Sequence, residues 1–219
     1  MTMASKLKRL FPPEAVIVEA DKEMWNMPLS PEEETLIKSA VEKRKREFRA
    51  GRHAAHRALA QLDAPKRPLL RGDKREPLWP TGYLGSITHC RDACVAVCAK
   101  TEDMISLGVD VEPLKPLPEG VEQYVHTPED KRTMAKNGSL PERLIFSAKE
   151  SLYKCYYPLL GQFIGFQEVS LAIDVHEQTF QFTPAEDCTT PFPGEFAFHG
   201  RYLVEENHLY TGCFLTAPD

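Results

Sequence analysis

MISLGVDVE, residues 104–112, is the stretch on which the fold turns. In an extended segment side chains alternate, so Val109 and Val111 point to one face while Asp110 and Glu112 point to the other. Two valines then anchor a strand in the core, and two carboxylates project together into a cleft. Adjacent carboxylates repel unless a cation joins them. Hard oxygen ligands of this kind suit Mg²⁺, which takes a few protein carboxylates and completes its octahedron with water and phosphate. The plain alternative is an exposed strand edge that carries two acids.

Two further strand-like segments, YLGSITH (83–89) and ACVAVCAK (93–100), precede it. Before them, Ser30-Pro31-Glu32-Glu33 reads as a helix start, with Ser at the N-cap, Pro at the first position and Glu33 closing a capping box. That helix is expected to run through EETLIKSAVEKRKREF, and a second helical pattern, RHAAHRALAQL, continues to about Leu62. A turn-rich connector, PKRPLLRGDKREPLWPTGY, separates the helices from the strands. After the opening stretch comes the Pro-rich link EPLKPLPEG, then a helix capped at Thr127 and another from about Pro141 to Tyr157. Four alternating segments follow: FQEVSLAIDV, TFQFT, EFAFHGRYLV and LYTGCFLTA, the last two joined by a Glu-Asn turn. Helices then strands, twice over, predict an α+β protein of two similar-sized lobes, 1–106 and 107–219, joined near 105–112.

Hydrophobic content of 42% and charged content of 27% are globular values and exclude a disordered chain. No run approaches the roughly 18 apolar residues of a membrane span, so no membrane association is expected. The N-terminus lacks a sustained apolar stretch before a cleavage site, which makes the cytoplasm the expected compartment. Of the six cysteines, Cys90, Cys94 and Cys98 are spaced by four. That matches neither a zinc CxxC pair nor a ferredoxin pattern, and the three are expected to be core residues on one strand face. Net charge is −5, yet residues 1–100 carry +6 and residues 101–219 carry −11. Opposite-sign halves suggest a basic side for an anionic ligand and an acidic side for a cation.

The second constellation is FSAKESLYK, residues 146–154. On a helix, Glu150 and Lys154 are i and i+4 and share a face, while Leu152 and Tyr156 share another suited to the core. Glu150 offers a third metal oxygen, and Lys149 and Lys154 offer counter-charge for phosphate. The alternative is an ordinary ion pair on a solvated helix. The third constellation is His89 at the end of GSITH beside a basic set: Arg44, Arg52, Arg71 and Lys74. Arg44 and Arg52 lie about two turns apart and share a face if the helix continues through Gly51. Their planar guanidinium forks suit phosphate; a solvated basic face or a nucleic-acid patch are the other readings.

In these residues the chain resembles the 4′-phosphopantetheinyl transferases, and within them the enterobactin synthetase component D type. FRAGRHAAHRAL (48–59), RGDKREPLWPTGYLGSITHC (71–90), LGVDVEP (107–113) and FSAKESLYKCYYPL (146–159) match the family's motifs in order. The resemblance implies two α+β lobes related by a pseudo-two-fold, with coenzyme A bound between them. It implies Mg²⁺ on Asp110, Glu112 and Glu150, with the backbone carbonyl of Val111 a further ligand in some members. It implies that Arg44, Arg52, His89 and the Arg71–Lys74 loop hold the nucleotide, including its 3′-phosphate. Arg71 departs from the family, where lysine is as frequent. Catalysis would fall to Glu150, Lys154 and Lys149, the two lysines also contacting the diphosphate. The expected partner is an apo carrier protein of fatty-acid, siderophore, nonribosomal peptide or polyketide synthesis, docking an acidic helix on a monomeric enzyme. Two other readings compete: a Mg²⁺-dependent nuclease, and a non-catalytic module that binds through the KRKREF helix.

Overall fold

The computed structural model describes residues 2–138, 140–186, 188–190 and 198–216. It is a mixed α+β structure with two antiparallel sheets. A short helix α1 (Met3–Leu7) and a 3₁₀ turn (Lys8–Leu10) lead into strand β1 (Val16–Glu19). Helices α2 (Pro31–Thr35) and α3 (Glu42–Gln61) precede strands β2 (Tyr83–His89), β3 (Cys94–Lys100) and β4 (Met104–Pro113). Helices α4 (Glu122–Val125), α5 (Pro128–Lys136) and α6 (Leu144–Leu160) follow. Strands β5 (Val169–Asp174), β6 (Thr179–Pro184), β7 (His199–Glu205) and β8 (His208–Thr216) complete the chain. The first sheet has the order β1-β3-β2 and the second β4-β8-β7-β6-β5.

The two sheets share a core. Ile17, Val95, Val97 and Ala99 from the first meet Val109, Val111, Tyr210 and Phe214 from the second. The opposite face of the first sheet is covered by Ala54, Ala55, Ala58 and Leu59 of α3. The opposite face of the second is covered by α6, through Leu144, Ile145, Ala148, Leu152 and Tyr156. The valine–carboxylate alternation in β4 is as expected: Val109 and Val111 are fully buried against the first sheet, and Asp110 faces α6.

Two glycines set the helices close to the strands. A Cβ on Gly108 would lie 2.1 Å from the carbonyl oxygen of Ser151, so α6 crosses β4 at backbone contact there. A Cβ on Gly51 would lie 2.7 Å from Ile87 Cγ2, which brings α3 down onto β2. This is why α3 tolerates a glycine in its interior: the position has no room for a side chain. Hydroxyls add polar ties, Ser106 Oγ donating to Cys155 O at 2.5 Å and Thr211 Oγ1 donating to Ser147 O at 2.9 Å.

Several local expectations change. The helix that starts at Ser30 stops at Thr35, and α3 begins only at Glu42, after Val41 adopts an extended conformation. Ser30 caps the helix, but the Glu33 carboxylate turns inward to accept from Leu69 N at 3.1 Å and pair with His56 at 2.8 Å. Its neighbour Glu34 binds Arg49 through both oxygens at 2.8 Å, folding α2 back on α3. Helix α6 starts three residues later than expected and ends at Gly161, which is left-handed (φ 64°). Cys94 and Cys98 are buried in core packing as expected, and burial pushes the Cys94 thiol up to about 12. Cys90 is not on their strand face; it lies in the β2–β3 turn and is only partly buried. The segment EFAFHGRYLV is a strand from His199 onward, and its residues 195–197 lie outside the described residues.

Candidate active site at the end of strand β2

The site is built where β2 runs beside the outer edge of β4. Ser86 Oγ accepts from Val109 N at 3.2 Å and Thr88 Oγ1 accepts from Val111 N at 3.3 Å, so two hydroxyls satisfy the free N–H groups of that edge. Thr88 Oγ1 in turn donates to Asp110 Oδ1 at 3.1 Å. The same oxygen accepts from Lys154 Nζ at 2.7 Å, while Asp110 Oδ2 accepts from Ser147 Oγ at 2.9 Å. Three of the roughly four lone-pair positions of the Asp110 carboxylate are thereby taken, and one on Oδ2 stays open.

Glu112, two residues along the strand, is paired with Arg143 at the start of α6. Arg143 is itself fixed by Lys115 O at 2.9 Å and Pro116 O at 3.1 Å. Glu150 projects from α6 into the same electrostatic neighbourhood. Burial raises its carboxyl above the ordinary range, Lys154 opposes that, and the Asp110 and Glu112 charges add to it. Glu112 is likewise raised, by burial and then by Asp110, against Arg143 and Lys154. Glu112 and Glu150, each raised by burial and by the charge of Asp110, form with it a set of hard oxygen donors, the donor class that Mg²⁺ takes. By donor chemistry alone, all carboxylate oxygens, Asp110, Glu112 and Glu150 suit such a cation, while Asp110 is engaged by Lys154 and Glu112 by Arg143.

His89, at the end of β2, links this group to the basic set. Its Nε2 lies 2.8 Å from Arg44 Nη1, and its Nδ1 lies 3.8 Å from Glu47 Oε2. Burial lowers its pKa, and the charges of Arg44, Lys154 and Lys43 lower it further against Glu47. The imidazole is thus neutral near pH 7, one nitrogen accepting from Arg44. Arg52, two turns along α3 from Arg44, is 4% exposed. Its Nη2 makes one long bond to Leu70 O at 3.5 Å, its face covers the Phe48 ring at 4.7 Å, and its Nε has no hydrogen-bond partner. Burial lowers its pKa to about 10, and Arg44 and Arg71 push in the same direction against Glu33. An under-bonded, buried guanidinium beside two more arginines has donors to spare for an anion.

Arg71 comes from the connector, where Leu78 N donates to Leu70 O and Gly72 N to Glu76 O, making a small hairpin on which Arg71 is exposed and its charge reaches Arg52. Lys74 lies exposed at the tip of that hairpin and is not drawn into the cluster. Lys149 is a clearer departure. It was expected at the diphosphate, but its ammonium is buried on the other side of α6. There it donates to Val125 O at 2.8 Å, Asp130 Oδ2 at 2.5 Å and Phe166 O at 2.6 Å. All three protons are used, which leaves none for a ligand.

Sequence reasoning missed Thr88, Ser147, Arg143 and Glu47. Glu47 sits inside the KRKREF run, where the basic residues drew attention, and Thr88 and Ser147 are small hydroxyls whose role depends on the strand or helix packed opposite. No helix among the described residues is long and apolar enough to cross a membrane.

A basic side-chain set thus meets a carboxylate–lysine cluster at one strand end. The N-terminal domain model of the 4′-phosphopantetheinyl transferases matches residues 32–99, and that of the 4′-phosphopantetheinyl transferase superfamily matches residues 106–207. The chain is 38% identical over 198 residues to the 4′-phosphopantetheinyl transferase Svp of Streptomyces mobaraensis, covering 87% of this chain and 80% of that protein. It is 39% identical over 131 residues to enterobactin synthase component D of Salmonella typhi, covering 55% and 51%. Among solved structures, holo-(acyl-carrier-protein) synthase of Thermotoga maritima matches with a TM-score of 0.40 at 17% identity, covering 52% of this chain and 65% of that one. The chain belongs to the 4′-phosphopantetheinyl transferase family. It is a transferase of that type, with enterobactin-synthase-like relatives, and the nuclease and binding-module readings fall away.

Proposed function

We propose that this enzyme transfers the phosphopantetheine of coenzyme A to a serine hydroxyl of an apo carrier protein and releases adenosine 3′,5′-bisphosphate. The serine oxygen forms a bond to the β-phosphorus, the bond from that phosphorus to the bridging oxygen breaks, and the serine proton leaves. The observation that carries the reading is the junction at Thr88 and His89, where the nucleotide-type basic set adjoins the Asp110–Lys154 pair. Transfer of this kind needs alignment and charge neutralisation more than covalent help.

Each residue has a part in this scheme. Arg44, Arg52, Arg71 and His89 hold the nucleotide phosphates, and Lys74 stays exposed at the hairpin tip. Asp110, Glu112 and Glu150 would hold Mg²⁺, which when bound neutralises charge on the diphosphate oxygens. Glu150, with its raised pKa, is suited to take the serine proton near neutral pH. Lys154 steadies the negative charge that builds on the leaving phosphate. Lys149 acts as scaffold rather than catalyst. The basic flank of α3 suits an acidic carrier helix, and the enzyme works as a cytoplasmic monomer.

The test is intact-mass spectrometry of several apo carrier proteins incubated with enzyme, Mg²⁺ and coenzyme A. A phosphopantetheine mass gain on at least one is expected, and Glu150→Gln should slow it by about 10²-fold or more. No gain on any carrier overturns the reading.

A further inference from the structure

Outside this site, the β2–β3 turn meets the first residue of β8. The turn is closed by Cys90 N donating to Ala93 O at 2.9 Å, which turns Cys90 and Asp92 toward His208. His208 Nε2 lies 3.0 Å from Asp92 Oδ1, and Cys90 Sγ lies 3.7 Å from the same oxygen. One sulfur, one nitrogen and one oxygen thus lie within 4.8 Å of one another. Around a tetrahedral zinc with bonds of about 2.0–2.3 Å, ligand atoms stand about 3.3–3.8 Å apart. Small side-chain rotations bring this trio to that spacing.

The surroundings favour a cation as well. The Glu112 charge reaches Cys90, and Glu19 and Glu206 lie around His208 and the adjacent Tyr210. An exposed His–Asp ion pair would account for Asp92 and His208. It would not account for a half-buried thiol directed at the same carboxylate oxygen.

We propose that Cys90, Asp92 and His208 form a binding site for a zinc-class divalent cation, with the fourth position left to water. On binding, the thiol proton passes to solvent, the thiolate sulfur bonds the metal, and the imidazole and carboxylate donate lone pairs. Thiolate and imidazole are poor ligands for Mg²⁺, so this position is chemically distinct from the all-carboxylate set nearby. It also ties two parts of the fold together. Cys90 follows His89 in the chain, and His208 pairs with Pro113, next to Glu112, in the β4–β8 ladder.

The experiment uses the full chain, stripped of metal, in a non-thiol reductant and with excess Mg²⁺ to saturate the carboxylate set. Co²⁺ titration should give a thiolate-to-cobalt charge-transfer band that saturates at one equivalent. Zn²⁺ competition against a chromophoric chelator should give an affinity that falls by about 100-fold or more in Cys90→Ser and in His208→Ala, since each removes a direct ligand. Cys90→Ser should lose the cobalt band, and Cys188→Ser should keep both signals. The proposal is overturned if wild type shows no band or if the band survives in Cys90→Ser. Zinc affinity unchanged in a folded Cys90→Ser or His208→Ala variant overturns it equally. None of these readouts depends on transferase activity.

Discussion

Replacing Lys149 by methionine separates a scaffold lysine from a catalytic one. The Lys149 side chain is 1% exposed and that of Asp130 is 0% exposed, and their charged atoms are 2.5 Å apart. Asp130 also accepts from Thr127 N at 2.9 Å, closing the cap of α5, and from Leu171 N at 2.8 Å. Lysine burial lowers the pKa of the ammonium, and Asp130 opposes that shift. Lys149→Met keeps most of the apolar stem but strands a buried carboxylate, the buried Val125 carbonyl and the partly buried Phe166 carbonyl. Breaking a buried pair in this way costs about 3–5 kcal/mol. In a chain of this size each kcal/mol lowers Tm by about 2–4 °C, so the expected fall is roughly 6–20 °C. Calorimetry measures that, while transfer at 20 °C, well below the transition, should stay within about threefold of wild type once folded enzyme is counted. Asp130→Asn, at a position that carries no catalytic expectation, should show the same pattern. An unchanged Tm with a loss of activity of about 100-fold would refute this assignment and return Lys149 to the diphosphate.

Two further outcomes follow from the site. Arg52→Lys keeps a positive charge but loses the fork; with charge-assisted bonds worth about 1.5–3 kcal/mol, coenzyme A should bind about 10–150-fold more weakly by calorimetry. The 3′-dephospho analogue should be affected far less, and equal losses for both ligands would place Arg52 elsewhere. The second outcome concerns pH. Because the folded-state pKa of Glu150 is raised, its contribution to stability is full below the ordinary carboxylate range and is lost as pH rises through the raised value. Without Mg²⁺, Glu150→Gln should therefore gain stability relative to wild type as pH climbs from about 4 to 7, read from urea midpoints. Added Mg²⁺ should stabilise wild type more than the variant. A difference independent of pH would remove the carboxylate crowding on which the metal assignment stands.

The parts of the fold legible in the sequence were those governed by periodicity and caps. β2, β3 and β4 begin and end within a residue of expectation because their alternation, or near-continuous burial in β3, is local information. Thr127 caps α5, as expected, through a reciprocal box with Asp130. The family match extends to residue 207, past the last motif that the sequence alone offers. What could not be read is which partner a polar side chain takes. Glu33 was expected to close its own helix; one carboxylate oxygen does take the Ser30 hydroxyl at 3.0 Å, but the other serves Leu69 and His56, a choice made by residues more than twenty positions away. Lys149 and Lys154 flank the same glutamate and look equivalent, yet one turn of helix separates a buried pocket beside Asp130 from the cleft beside Asp110.

That difference follows from the helix period. Residues 150 and 154 share a face, and 149 points about 100° away, toward α5 and the Phe166 turn. The carboxylate and lysine that face β4 can converge on Asp110 only because Gly108 lets α6 down to backbone contact with the strand. The basic set converges on the same point for a parallel reason, since Gly51 lets α3 down onto Ile87. Between these two contacts, β2 presents Ile87 to α3 and Thr88 to β4 by simple alternation. Strand β2, with Gly51 seating α3 against it and Gly108 seating α6 against its neighbour β4, therefore sets the distance between the basic set and the carboxylates. The charged residues carry the chemistry, but the small ones fix where it happens.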